Sequence, residues 1–182
     1  MIGMVKALGK SQLTPADGDP VRTEAAGSDQ LVEAIELLFF AYRDFTSDPD
    51  ELLAEYDFGR AHHRVVHFVG RNPGITVAEL LNILRITKQS LARVLKQLIE
   101  RGFVEQETGR QDRRQRLLYL TQAGRDLLER LEAPQRARVA RALEQAGPDA
   151  DAAWPLALLA LVDEADRSEV ERPIVAAPAD GT

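Results

Sequence analysis

The sequence predicts a mainly α fold: a winged helix-turn-helix core with a two-stranded β wing, flanked by N- and C-terminal helices. Three observations carry this expectation. Leu, Ala and Arg dominate a chain of 182 residues that is 45% hydrophobic but only 5% aromatic, a composition that favours helices over strands. Apolar residues recur at steps of three and four along most of the chain. The main interruption is a pair of β-type runs, Phe103–Glu107 and Leu117–Leu120, joined by a polar, arginine-rich loop. Helix, tight turn, helix, strand, basic loop, strand is the order of a winged helix.

Each element has a local reason. Residues 1–27 are rich in Gly, Pro, Thr, Ala and Asp without period, and read as a flexible tail. Ser28 can cap the first helix, with Asp29 in the turn where the helix dipole favours an acid. Leu31, Ile35, Leu38, Tyr42 and Phe45 then step by four and three, the seam of a helix packed along another helix. Val32 and Phe39 widen that face. Ser47-Asp48-Pro49-Asp50 is expected to end or interrupt the helix, which gives it the span 28–47. A second helix runs from about Phe58 to Arg71 on Val65, Val66, Phe68 and Val69, and Asn72-Pro73-Gly74 stops it. Thr76-Val77-Ala78-Glu79 reads as a capping box. It opens a short helix whose core residues are Leu80, Leu81 and Leu84.

After the brief turn Arg85-Ile86, Thr87 caps the next helix. Leu91, Val94, Leu95, Leu98 and Ile99 form its buried stripe, and Gly102 fits the left-handed residue that closes a helix. The two strands and their loop, Thr108–Gln115, follow. Thr121 caps a helix carrying Leu127, Leu128, Leu131 and Val139, which Pro134 must kink or break. Past Gly147-Pro148 a last helix holds Trp154, Leu156, Leu159 and Val162. Pro155 places its regular part from there onward. Residues 173–182 read as a second flexible tail, so the folded part is 28–172, with the winged core over 57–120.

Charge points to a polyanionic partner. The net charge is −6. Yet the window Arg85–Arg116 holds nine bases against four acids, +5 net, and leaves −11 for the rest. A basic block on an acidic body is an electrostatic footprint. On the helix opened by Thr87, the residues off the apolar stripe are Lys88, Gln89, Ala92, Arg93, Lys96 and Gln97. They can donate to base edges and phosphates, and no acid precedes Glu100. The first turn, with Thr87, Lys88, Gln89 and Ser90, reaches deepest. In the loop, Arg110, Arg113 and Arg114 suit a narrow minor groove, and Asp112 can orient the Arg114 guanidinium. The expected DNA-binding set is therefore Thr87, Lys88, Gln89, Ser90, Arg93, Lys96, Arg110, Asp112, Arg113 and Arg114.

Other classes are disfavoured. With no cysteine, disulfides, thiolate zinc sites and thiol switches are excluded. No apolar run approaches the ~20 residues of a membrane span. Met1–Lys10 lacks the apolar stretch of a signal peptide, so a cytoplasmic protein without membrane partners is expected. There is no Gly-rich phosphate loop, no nucleophile elbow and no histidine-glutamate metalloprotease motif. An enzyme is not expected, nor a cofactor.

The run from Ile75 through Leu128 resembles the MarR family of transcription regulators. The resemblance rests on Thr87-Lys88-Gln89-Ser90-Leu91-Ala92-Arg93, Leu98-Ile99-Glu100-Arg101-Gly102-Phe103-Val104, Asp112-Arg113-Arg114 and Leu120-Thr121-Gln122-Ala123-Gly124. The wing departs from the family's usual Asp-Pro-Arg opening, reading Gly109-Arg110-Gln111 instead. What the resemblance implies is a regulator, an effector-responsive repressor, that binds a near-palindromic site on double-stranded DNA as a homodimer. The dimerisation helices would be 28–47 and 121–172. A small-molecule effector pocket would lie between them and the winged core, lined by the helix from Phe58 to Arg71.

That helix carries all three histidines, His62, His63 and His67. His63 and His67 are four apart, on one face and at a metal-ligand spacing, with His62 off it. The reading taken is that they are core residues or line the effector pocket, with no metal bound. A metal- or haem-responsive regulator is one alternative. A winged helix used for protein contacts or for RNA is the other.

Overall fold

The computed structural model describes residues 27–109 and 114–167. Its elements run α1 (Ser28–Ala54), α2 (Arg60–Arg71), β1 (Ile75–Thr76), α3 (Val77–Leu84), α4 (Lys88–Glu100), β2 (Val104–Thr108), β3 (Arg116–Leu120), α5 (Gln122–Ala146) and α6 (Ala150–Ala160). The chain divides into two units, one through Ala41 and one from Tyr42 onward. In the first unit the seam residues Leu31, Ile35 and Leu38 are about half exposed, and Phe39 is 70% exposed.

α1 does not end at Ser47–Asp50 as the sequence predicts; it continues to Ala54 with Pro49 inside. Proline has no N–H to give the carbonyl four residues back, here Phe45. The Gln135 side-chain amide donates to that oxygen instead, at 3.3 Å. The Pro49 ring is buried, and Arg138 pairs with Asp48 at 3.0 Å. α5 thereby holds the turn that proline would open, and Leu53, fully buried, carries the helix into the core.

One cluster unites the second unit. Val65, Val66 and Val69 of α2 meet Leu80 and Leu84 of α3, Leu91, Val94, Leu95 and Leu98 of α4, Leu118 and Leu120 of β3, and Leu127 and Leu131 of α5. Ile99 is a correction: it is 36% exposed. A helix turns about 100° per residue, so Ile99 falls beyond Leu95, at the edge of the stripe rather than within it.

α3 opens as the sequence predicts. The Glu79 N–H donates to Thr76 Oγ1 at 3.2 Å, and the Thr76 N–H donates to Glu79 Oε2 at 2.8 Å. The Thr76 backbone donor, then its hydroxyl, hold the Glu79 carboxyl below the ordinary glutamate value. A depressed carboxylate stabilises the fold above its unfolded value and loses that contribution as pH falls through the folded one. Glu79→Ala is therefore expected to reduce stability by about 0.3–1.5 kcal/mol at pH 7. The difference should close in acid; urea melts at pH 7 and pH 3 check this, and a gap of constant size would contradict it.

The sheet has three strands rather than two. β3 lies between β1 and β2, antiparallel to both, with Ile75 opposite Leu118 and Val104 opposite Leu120. β1 has only two residues, too few to show alternation, and Thr76 also caps α3. Two proline expectations change as well: Pro134 does not break its helix, and Pro155 does not begin one. α5 runs unbroken from Gln122 to Ala146 across Pro134. Buried Leu131 anchors it before the proline, and Gln135 and Arg138 anchor it to α1 after. α6 starts at Ala150, with Pro155 inside rather than at its start. Ala150, Ala152 and Ala153 are strong helix formers and suffice to begin it.

Candidate nucleic-acid interface

The turn between α3 and α4 is tight because Arg85 adopts a left-handed conformation, φ 49° and ψ 42°. Its N–H donates to Leu81 O, and Arg64 Nη2 donates to Leu84 O at 3.1 Å. The Arg85 guanidinium itself pairs with Asp166. Thr87 then caps α4. Its hydroxyl oxygen accepts the Ser90 N–H at 3.1 Å, and its proton goes to Ser90 Oγ at 2.8 Å. The Thr87 hydroxyl is thus committed to shaping the helix start, while the Ser90 hydroxyl proton stays available.

With Leu91, Val94, Leu95 and Leu98 buried, α4 exposes its other face. Lys88, Gln89, Ser90, Arg93 and Lys96 are all exposed. Gln89 and Arg93 are one turn apart, and Lys96 follows on the same side. The side chains of Lys88, Gln89 and Arg93 have no hydrogen-bond or ion-pair partner among the described residues. Lys96 makes a loose pair with Glu100 at 3.7 Å, both side chains largely exposed, which contributes little and is easily exchanged. Between them these side chains offer the Gln89 amide and three cations to a partner.

The wing is the β2–β3 arm. The Gly109 N–H donates to Gln115 O at 3.1 Å at its outer end, and Arg116 donates to Thr108 Oγ1 across the ladder. Arg114 is exposed. Arg110, Asp112 and Arg113 lie outside the described residues, and so does the expected pairing of Asp112 with Arg114. Arg101 folds back on its own chain: it donates to Tyr56 O and stacks over Phe58 at 5.1 Å. Arg85, Arg101 and Arg116, though exposed, are therefore held by the chain's own groups, and a charge count along the sequence cannot separate them from the bases left open.

The three histidines have distinct surroundings. His62 is buried, 8% exposed, stacked on Phe58 with centroids 4.4 Å apart. It accepts the Gly59 N–H on Nδ1 at 3.1 Å and reaches Gln97 Oε1 of α4 from Nε2 at 2.8 Å. Sequence reasoning missed this link, but the spacing of Gly59 and His62 is that of a helix cap and its N3 partner. His63 is half-buried; burial, then the neighbouring His67, push its imidazole toward the neutral form. His67 Nδ1 lies 2.9 Å from Glu132 Oε1, and Arg136 holds the other carboxylate oxygen at 2.8 Å. Among the described residues no three His, Asp or Glu side chains converge as a metal-ligand set.

Residues 56–115 match the MarR family. Over 139 residues the chain is 50% identical to the HTH-type transcriptional regulator PetP of Rhodobacter capsulatus, covering 76% of this chain and 84% of that protein. The chain belongs to the MarR family. It is by family a transcription regulator and not an enzyme. Among solved structures it resembles Streptococcus pneumoniae FabT in complex with DNA, with TM-score 0.64 and 20% identity over 72% of this chain and 94% of that one. It also resembles a mutant MarR from E. coli complexed with operator DNA, with TM-score 0.56 and 20% identity over 74% and 97%. Both likenesses carry the fold, and they agree with the winged core drawn from the Thr87–Arg93 and Leu120–Gly124 motifs.

Proposed function

We propose that this MarR-family chain is a sequence-specific DNA-binding regulator that acts as a homodimer on a near-palindromic operator, as an effector-responsive repressor in the cytoplasm. The observation that carries the DNA reading is the unpartnered donor face at the start of α4: Lys88, Gln89 and Arg93 exposed on a helix whose opposite face is locked into the core. Thr87 and Ser90 set the helix start, Lys96 adds charge along the same side, and Arg114 with Arg110, Asp112 and Arg113 forms the wing contact. The dimer reading rests on exposed apolar helices. Leu31, Ile35 and Phe39 in α1 are uncovered, and so are Trp154, Leu156 and Leu161 around α6, the last two at 67% and 68%. Contiguous exposed apolar faces mark association surfaces. A two-fold dimer sets two recognition helices about 34 Å apart, one duplex turn. A bound dimer would occlude a promoter, hence repression. The effector reading rests on His63 and His67 of α2, both half-buried, with His67 joined through Glu132 to α5, a place where a polar ligand could compete for hydrogen bonds.

Binding of the full chain to sheared genomic duplex, across a salt series, tests the proposal alongside light scattering of the free protein. A dimer mass is expected, with affinity falling steeply as salt rises because phosphate contacts release counterions. A monomer at micromolar concentration, or a folded protein with no duplex binding at any salt, would overturn it. Association with RNA or protein alone would favour the interaction-module reading.

A further inference from the structure

The buried histidine of α2 determines what the recognition helix presents at its far end. Gly59 donates its N–H to His62 Nδ1 at 3.1 Å. A ring nitrogen that accepts carries no proton, so the neutral imidazole holds its hydrogen on Nε2. Nε2 lies 2.8 Å from Gln97 Oε1; the ring N–H donates and the amide oxygen accepts. This fixes the amide. Its oxygen faces His62, and its NH2 group sits on the far side of the amide carbon, on a residue that is exposed. The ring cannot swing to release it, being buried and stacked on Phe58 with an interplanar angle of 11°.

Gln97 follows Arg93 by one turn of α4 and so lies on the flank of the same exposed face. A free glutamine amide can turn either end outward. One whose oxygen is held toward the core turns its donors outward, and phosphate oxygens only accept. We propose that Gln97 is a DNA-backbone contact and that His62 is its positioning residue: the chain Gly59 N–H to His62, His62 to Gln97, Gln97 to phosphate aims an oriented amide donor at the duplex. The inference rests on the DNA-binding reading. It makes His62 part of the DNA interface from behind rather than part of an effector pocket.

The test uses the full chain and a fluorescent duplex of mixed sequence at low salt, read by anisotropy. Gln97→Ala is expected to weaken binding about three- to tenfold, the net value of one solvent-exposed hydrogen bond exchanged with water. Gln97→Glu still accepts from His62 but sets a carboxylate against phosphate, so its loss should be larger. Two substitutions at 62 separate orientation from capping. His62→Asn can take the Gly59 N–H at the position of Nδ1 but cannot reach Gln97. His62→Gln can donate from the position of Nε2 but leaves the cap open. If His62 acts through Gln97, glutamine preserves affinity better than asparagine, and His62→Asn adds nothing in the Gln97→Ala background. A purely structural role gives the reverse order, because asparagine keeps the cap, and that order would overturn the proposal. Parental affinity in Gln97→Ala would overturn it too, with the DNA reading intact. A folded parent chain that binds no duplex would overturn both.

Discussion

Replacing Gly124 with alanine is expected to destabilise the protein by about 3 kcal/mol or more. A Cβ at that position would sit 2.0 Å from the Phe103 carbonyl oxygen and 3.0 Å from its carbon. Those are backbone atoms, and they are held from both sides. The Thr121 N–H donates to the same oxygen at 3.1 Å, the Thr121 hydroxyl donates to Gly102 O at 2.6 Å, and the Gly124 N–H donates to Thr121 Oγ1 at 3.1 Å. The start of α5 is clasped to the segment leading into β2, so neither side can retreat without breaking a cap. Gly70 in α2 makes the contrast. Its Cβ would meet Leu128 Cδ2 at 2.5 Å and Leu120 Cδ1 at 3.0 Å, which are ends of side chains that can turn. Alanine also gains roughly 1 kcal/mol over glycine inside a helix. Gly70→Ala should therefore lie within about 1 kcal/mol of the parent. Urea melts of the two variants decide the matter, and a Gly124→Ala midpoint equal to the parental one would mean that the clasp yields. The Leu-Thr-x-x-Gly run thus has a mechanical reason: the threonine caps α5, and the glycine lets that cap approach the backbone leading into β2.

The largest functional effect is expected at Gln89 and Arg93. Glutamine can pair with adenine through two hydrogen bonds and arginine with guanine. Both side chains project from the first turns of a helix whose other face is fixed. Replacing either by alanine should relax discrimination at one or two positions in each half-site, at about 1–3 kcal/mol for each good base contact. Lys96→Ala should instead weaken all sequences alike and flatten the salt dependence by about one counterion. Selection of bound fragments from a randomised duplex pool reads both effects at once. Uniform weakening by Gln89→Ala and Arg93→Ala, with an unchanged consensus, would show that these side chains touch only the backbone.

Much of this was legible because local signals agree with tertiary demand. The capping box at Thr76, the cap at Thr87, the closing Gly102 and the cap at Thr121 all stand where spacing places them. These are short-range arrangements that the chain makes with itself. The errors share the opposite character. At Pro49 and Pro134 a helix-breaking residue is overruled by partners about 90 positions away, which no local pattern contains. β1 is a strand only because β3 passes beside it. The basic window was visible as a total, but its division into held and open side chains depended on where Tyr56, Asp166 and Thr108 end up. The α4 surface was readable from its apolar stripe. The His62–Gln97 link spans 35 positions and was not.

The substitute bond at Phe45 ties the fate of two distant codons together. With proline at 49, the oxygen of Phe45 depends on the side chain of Gln135, so glutamine there is constrained. With any residue at 49 that carries an amide proton, the helix ladder could serve that oxygen, and position 135 would be released to vary. The order of change matters. Losing Gln135 first strands a carbonyl; losing Pro49 first removes the dependence and makes the later loss of Gln135 harmless. Proline and glutamine at these two sites are therefore coupled, and drift across this part of α1 and α5 has one cheaper order of change and one costlier.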